Sequence, residues 1–377
     1  MRPTWAEIDL GAIAHNIAQI RKKVSPARVM AVVKANAYGH GAAQVATAAL
    51  ASGADYLAVA LVEEGAELRA QGVKAPILVF GGTVPEQAPL FAEHHLIATV
   101  YTREAVEALA KEARRANRPM PVHVKVDTGM GRVGVDWKEA VDFLRWLASV
   151  EGVRAEGIYT HFATSDEKDK AFAELQLARF NQVLVGAQQL GFKLLRHAAN
   201  SGAILDLPAS YFDMVRPGVM MYGYYPSPEV SRSVPLRPAM TLKTRVLFVK
   251  KIERGTSISY GRQFIATEST TIATLPVGYA DGYNRLLSNQ AEVLIRGKRY
   301  PVVGRVCMDQ IMVDLGPHSE VQPGEEVVLL GRQGEEEISM YSICEMLRTI
   351  PYEVTCWVSA RVPRVYVGQP TGNKSDG

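Results

Sequence analysis

Val29-Met-Ala-Val-Val-Lys34-Ala-Asn-Ala-Tyr38-Gly-His-Gly41 is an apolar run that delivers a lysine into glycine-rich, hydrogen-bonding sequence. Successive apolar residues without alternation fit a strand buried on both faces, as in a parallel sheet. An amine at the end of such a strand is partly desolvated, which favours the neutral form that attacks a carbonyl. The residues after the lysine decide between two architectures. A doubly wound open sheet built for a nucleotide carries G-x-G-x-x-G or a P-loop after its first strand, and Lys34-Ala-Asn-Ala-Tyr-Gly-His-Gly41 is neither. A (β/α)8 barrel needs no such loop.

Outward from this segment, short apolar runs alternate with stretches of helical period. Strand candidates end near Val33, Val59, Val79, Thr99, Val126, Tyr159, Ala199 and Val215. Helical periodicity is clearest over residues 10–24, with Asp9 as its cap, and over 42–52, 103–117 and 171–190. Eight such units predict an N-terminal barrel of the TIM type. Between residues 224 and 238 the chain is punctuated by proline and loses its period, as a connection between domains does. We place the boundary near Ser233, giving a barrel over 1–233 and a second domain over 234–370. The second domain reads as mainly β, with strand-like runs at 241–252, 271–276, 292–295, 302–306, 310–314, 326–330 and 362–367. Residues 371–377 have no apolar anchor and read as a frayed tail.

Composition limits the classes of function. The chain has 377 residues, 47% hydrophobic and 21% charged, enough for two cored domains. Its formal charge of +3 is dispersed without a basic block, which argues against nucleic acid and against an anionic membrane surface, and for a small-molecule ligand. No apolar run approaches bilayer length, and the start of the sequence lacks the pattern of a secretion signal, so cytoplasmic residence is the expectation. Cys307, Cys344 and Cys356 are an odd, widely spaced set with no C-x-x-C pair, so no metal site is expected. Cys344 and Cys356 read as reduced core or interface residues.

Polar residues gather at the carboxyl ends of the predicted strands, where a barrel keeps its active site. Lys34 follows the first strand, Lys125 and Asp127 close the fifth, His161 follows the sixth, Asn200 and Ser201 the seventh, and Arg216 the eighth. Singly each has a plain explanation: a structural histidine, an ion-pair partner for the arginine, a helix cap for Asn200 and Ser201. Together they outline one mouth.

Several segments, in order, resemble the alanine racemase family of pyridoxal phosphate enzymes. They are Ala31-Val-Val-Lys34-Ala-Asn-Ala-Tyr-Gly-His-Gly41, Lys125-Val-Asp-Thr-Gly-Met-Gly-Arg132-Val-Gly134, Thr160-His161-Phe-Ala163, Ala199-Asn-Ser201, Val215-Arg216-Pro-Gly218, Ser259-Tyr260-Gly-Arg262 and Val306-Cys-Met308-Asp309. The resemblance runs from Trp5 to Val367 and implies a barrel followed by a β domain. It implies that Lys34 carries pyridoxal 5'-phosphate as an aldimine, that Tyr260 is the second acid/base, and that Arg216 meets the pyridine nitrogen, with His161 linking it to Tyr260. Ser201, the backbone of Gly218 and Val219, and the hydroxyls of Tyr38 and Tyr352 are the implied phosphate donors, with Asn200 beside them. Arg132 and the Met308 backbone are implied for the substrate carboxylate, with Tyr279 at the entrance. Lys125 corresponds to a lysine that is carbamylated in many relatives. The family also implies a homodimer in which Tyr260, Tyr279 and Met308 serve the partner's Lys34.

The chemistry is consistent with these roles. Racemisation removes a proton from one face of a planar intermediate and returns it on the other, so two opposed groups are needed. A permanent cation at the pyridine nitrogen resists its protonation and weakens the electron sink, favouring proton return over side reactions. The activity expected is interconversion of L- and D-alanine, supplying D-alanine for peptidoglycan. A broad-specificity amino-acid racemase is the nearest alternative and a pyridoxal phosphate-dependent decarboxylase a more distant one, since the latter would pair the pyridine nitrogen with an acid.

Overall fold

A computed structural model of the protein describes residues 2–368. It comprises two compact units, residues 12–37 with 41–237, and residues 2–11 with 38–40 and 238–368. The predicted tail at 371–377 lies outside the described residues.

The first unit is a closed barrel of eight parallel strands: Arg28–Val32, Tyr56–Val59, Ile77–Val79, Ile97–Val100, Met120–Asp127, Val153–Tyr159, Leu195–His197 and Met214–Val215. Spatial order follows chain order, and Met214 pairs with Arg28 to close the ring. The fold is the barrel expected. Helices Leu10–Val24, Ala42–Ala51, Arg103–Arg115 and Ala171–Gln189 form where the 3.6-residue period foretold them. In Arg103–Arg115 the buried residues Ala105, Val106, Leu109, Ala110 and Ala113 recur at three and four, and the Thr102 side chain accepts the Ala105 N–H to start the helix.

The second unit is built on a ten-stranded sheet. Along its path lie Phe248–Ile252, Thr270–Leu275, Ile311–Gly316, Lys298–Val303, Glu292–Ile295, Glu326–Gln333, Met240–Arg245, Trp5–Asp9 and Arg364–Val367, with Glu336–Ile338 pairing Glu326–Gln333. Helices Met340–Leu347 and Pro351–Trp357 belong to it, the first holding buried Cys344, the second exposed Cys356.

Three details differ from the sequence reading. Trp5–Asp9 belongs to this sheet, pairing Met240–Arg245 on one side and Arg364–Val367 on the other, although everything before residue 233 reads as barrel. Residues 241–252 read as one strand but form two. Val246 N–H donates to Glu325 O and Leu247 N–H to Thr274 O, so the chain changes neighbours there and one straight strand cannot serve both. The units divide between Arg237 and Pro238, against the expected position near Ser233.

Candidate active site

Lys34 stands just beyond strand Arg28–Val32, at the carboxyl end of the barrel. Immediately after it, Ala35, Asn36, Ala37 and Tyr38 all have φ between 51° and 54°, a left-handed turn made without glycine. Such backbone needs outside support. Asn36 supplies part of it, its Oδ1 accepting Ala42 N–H at 2.8 Å and its carbonyl accepting Gly41 N–H at 2.9 Å. Glu64 adds to it: Oε1 accepts Ala35 N–H at 2.6 Å while Oε2 accepts Ala60 and Leu61 N–H at 2.8 and 3.1 Å.

Arg216, after the last strand, is 3% exposed, and among the described residues no carboxylate forms a salt bridge with it. Its Nη2 donates to Thr160 O at 2.8 Å and Ala198 O at 2.9 Å, with His161 Nδ1 at 3.3 Å. Its Nη1 lies 3.1 Å from His197 Nδ1, and His197 Nε2 lies 2.9 Å from His123 Nδ1. A guanidinium can only donate, so His197 must accept at Nδ1, carry its proton on Nε2 and donate onward to His123. Burial, then the charge of Arg216, pushes His123 down to about 3 and His197 well below its ordinary value, so both rings are neutral. Burial lowers Arg216 itself to about 10, which leaves it charged at neutral pH.

Strand Met120–Asp127 places His123, Lys125 and Asp127 at alternate positions, hence on one face. Burial first, then Arg132 and Arg216, pushes the Lys125 ammonium down to about 8, and Lys34 adds to the effect. Burial first, then Arg216, Lys125, Arg132 and Lys34, likewise hold His161 well below its usual range. Buried Tyr159 is close to two of these cations, with Lys125 Nζ 5.5 Å and the Arg216 guanidinium 5.3 Å from its ring centre, while His197 stacks on it at 4.8 Å. Asp127 is the acid that offsets this charge on Lys125, and its oxygens already accept Gly129 and Gly131 N–H at 2.9 to 3.2 Å, shaping the loop that bears Arg132. With Asp127 engaged in this way, the basic side chains of Arg216, Arg132, Lys125 and Lys34 make a mouth suited to anions.

Ser201 Oγ accepts Gly218 N–H at 3.0 Å and Met220 N–H at 3.4 Å, joining two of the expected phosphate donors into one cup. Asn200 takes the plainer of its readings: its Oδ1 caps the next helix through Ala203 N–H at 3.1 Å and accepts from Ser165 Oγ at 2.7 Å.

In the second unit, Tyr260, Met308 and Tyr279 are 70%, 52% and 42% exposed, high for such side chains. Their loops are tied together, since Tyr279 N–H donates to Cys307 O at 3.0 Å and Ala280 N–H to Met308 O at 3.1 Å. Gly278 permits this approach, because a Cβ there would lie 2.3 Å from the carbonyl oxygens of both Cys307 and Met308. Beneath Tyr279, buried Asp281 accepts Gly278 N–H and a two-pronged contact from Arg2 at 2.6 and 2.7 Å. The rings of Tyr38 and Tyr352 lie 5.9 Å apart, and burial raises the Tyr38 phenol far above its ordinary value.

The family model described as alanine racemase, N-terminal domain, matches residues 8–226, and that for the C-terminal domain matches residues 239–366. The chain belongs to the alanine racemase family. It is 49% identical over 370 residues to "Alanine racemase 2" of Caldanaerobacter subterraneus subsp. tengcongensis, covering 97% of this chain and 95% of that one. Among solved structures, alanine racemase of Clostridium difficile 630 superposes with a TM-score of 0.93 at 39% identity, covering 98% of this chain and 97% of its own. The alanine racemase of Bartonella henselae, with covalently bound pyridoxal phosphate, gives 0.87 at 30% identity over 97% of this chain and all of its own.

Several residues of this alanine racemase family site escaped the sequence reading. His123 could have been found from its two-residue spacing to Lys125 and Asp127. His197 shares the inward side of a strand end with the expected cluster. Gln176 gives no such signal: from inside helix Ala171–Gln189 it donates to His161 O at 3.0 Å and Thr128 Oγ1 at 3.3 Å and accepts Ala163 N–H at 2.9 Å, clamping two barrel loops.

Proposed function

We propose that the barrel mouth binds pyridoxal 5'-phosphate and that the chain uses it to interconvert L-alanine and D-alanine, providing D-alanine for peptidoglycan. The observation that carries this is the gathering of basic side chains at the barrel mouth, where Arg216, Lys125, Arg132 and Lys34 all act on buried His161. A phosphate dianion and a substrate carboxylate are anions that such a mouth would hold. Lys34 would hold the cofactor's aldehyde carbon, and Ser201 with the backbone of Gly218 and Val219 its phosphate, completed by Tyr38 and Tyr352. Arg216 would face the pyridine nitrogen; its acceptors at Thr160, Ala198, His161 and His197 fix the plane of the guanidinium. Bound pyridoxal phosphate supplies the electron sink that makes the α-proton of alanine removable.

The chain's own residues then move that proton. Lys34 serves one face and Tyr260 the other, while Arg132 and the Met308 N–H hold the carboxylate and Tyr279 narrows the entrance. We further propose that Lys125 carries a carbamate, whose negative charge would hold Arg132. An ammonium with a pKa of about 8 is partly neutral near pH 7, which favours addition to carbon dioxide. The exposure of Tyr260, Tyr279 and Met308 supports a homodimer in which they serve the partner's barrel.

Incubation of the holoenzyme with L-alanine, L-serine and L-lysine tests the substrate, each D-isomer being measured. D-alanine should form at least about 100-fold faster than the others, the discrimination of roughly 2.7 kcal/mol that a tight methyl pocket can give. Equal rates would favour the broad-specificity reading, and Lys34→Ala should remove all three products.

A further inference from the structure

Ser259 has φ 65° and ψ −177°, a backbone region in which glycine alone is at ease. It immediately precedes Tyr260. No sterically permissive residue has been placed there, so something else must hold the conformation. On one side Ile258, 3% exposed, is sunk in an apolar cluster with Ile252, Ala266, Ile272 and Val303, and Phe264 of the same hairpin packs against it. On the other, Ser259 Oγ donates to Arg305 O at 2.6 Å and lies 3.5 Å from Cys307 Sγ. Gly304 admits this contact, since a Cβ there would fall 2.7 Å from Ser259 Cβ and 2.9 Å from Ile258 O. The segment that Ser259 grips continues into Cys307 and Met308, and Cys307 O accepts Tyr279 N–H.

We propose that Ser259 is a positioning residue: its hydroxyl, bonded to the Arg305 carbonyl, locks the backbone that aims the Tyr260 phenol and sets it in register with Met308 and Tyr279. With Ile258 buried and residue 259 turned through a glycine-type conformation, the side chain at 260 is thrown outward, which accounts for its 70% exposure on an otherwise anchored hairpin. Removing the hydroxyl leaves a strained residue with no tether, and the loop relaxes. The consequence falls on one proton transfer and not on the other, because Lys34 is carried by a different unit.

This inference rests on Tyr260 being the second base, and the test separates the two claims. The measurement is hydrogen–deuterium exchange at the α-carbon of L-alanine and of D-alanine in D2O, scored in molecules that keep their configuration, with the ratio of the two rates compared among holoenzymes. Loss of folded or loaded enzyme lowers both rates and leaves the ratio unchanged. Tyr260→Phe should suppress exchange of the enantiomer served by the tyrosine and shift the ratio by about 100-fold. Ser259→Ala should shift it in the same direction by about 10-fold, with KM for alanine changed less than threefold. Ser259→Gly, which relieves the backbone but lacks the hydroxyl, should shift it as well. A wild-type ratio in both Ser259 variants, or in Ser259→Gly alone, would overturn the tether. A wild-type ratio in Tyr260→Phe would overturn the assignment of the base instead.

Discussion

Lys125 shows most plainly how single residues are set against their intrinsic tendencies. Buried beside Arg132 and Arg216, its ammonium falls from 10.5 to about 8. Between those values the unfolded chain binds a proton that the folded chain does not, so stability rises with pH across that window. The whole effect is at most about 3 kcal/mol. Cofactor-free protein in carbonate-free buffer should therefore resist urea better at pH 10 than at pH 7.5, and Lys125→Met should flatten this dependence. Adding bicarbonate at pH 7.5 should stabilise the wild type alone; an identical pH slope in both proteins would show that the amine is not buried as described. Residues such as Lys34, Lys125 and Arg216 were legible because each interrupts or ends an apolar run with a charge. His123 and His197 were harder to see, since a neutral histidine inside a strand resembles any packed side chain until the arginine that fixes its tautomer is known.

Among the elements, the left-handed turn after Lys34 carries the greatest local cost. Each non-glycine residue in that region costs roughly 1–2 kcal/mol, and Ala35, Asn36, Ala37 and Tyr38 are all there. Glu64 offsets this by using one carboxylate oxygen for the turn and the other for the Ala60–Leu61 backbone. Glutamine cannot do both, because its amide nitrogen would meet an N–H donor. Glu64→Gln and Glu64→Ala should each lose about 1–3 kcal/mol, the worth of hydrogen bonds to a charged group, and kcat should drop about tenfold as Lys34 loses its fixed departure angle. Thermal unfolding and initial rates check this, and unchanged values of both would remove Glu64 from the account. The turn was invisible in sequence, because Ala35 and Ala37 have no preference for left-handed backbone. Helices Leu10–Val24 and Ala171–Gln189 were readable because their periodicity is local. Strand Trp5–Asp9 was not, because its partners, Met240–Arg245 and Arg364–Val367, come from the far end of the chain.

At the scale of the whole molecule, one chain divides the proposed bases between two compact units, Lys34 in one and Tyr260 in the other. If the exposed loops bearing Tyr260, Tyr279 and Met308 complete the mouth of a second copy, neither unit of one chain suffices and activity belongs to the dimer. Complementation tests this directly. Lys34→Ala lacks one base and Tyr260→Phe the other, and homodimers of either should be nearly inactive. In a co-expressed hybrid, the intact Lys34 of one chain meets the intact Tyr260 of its partner at one site, and the second site lacks both. Random pairing makes half the dimers hybrids, so roughly a quarter of wild-type activity should return. Sites completed within one chain would recover nothing, because no chain in the mixture carries both residues. The hybrid, isolated with two affinity tags, should hold one cofactor on its single remaining Lys34, so that cofactor content and activity both report one site per dimer.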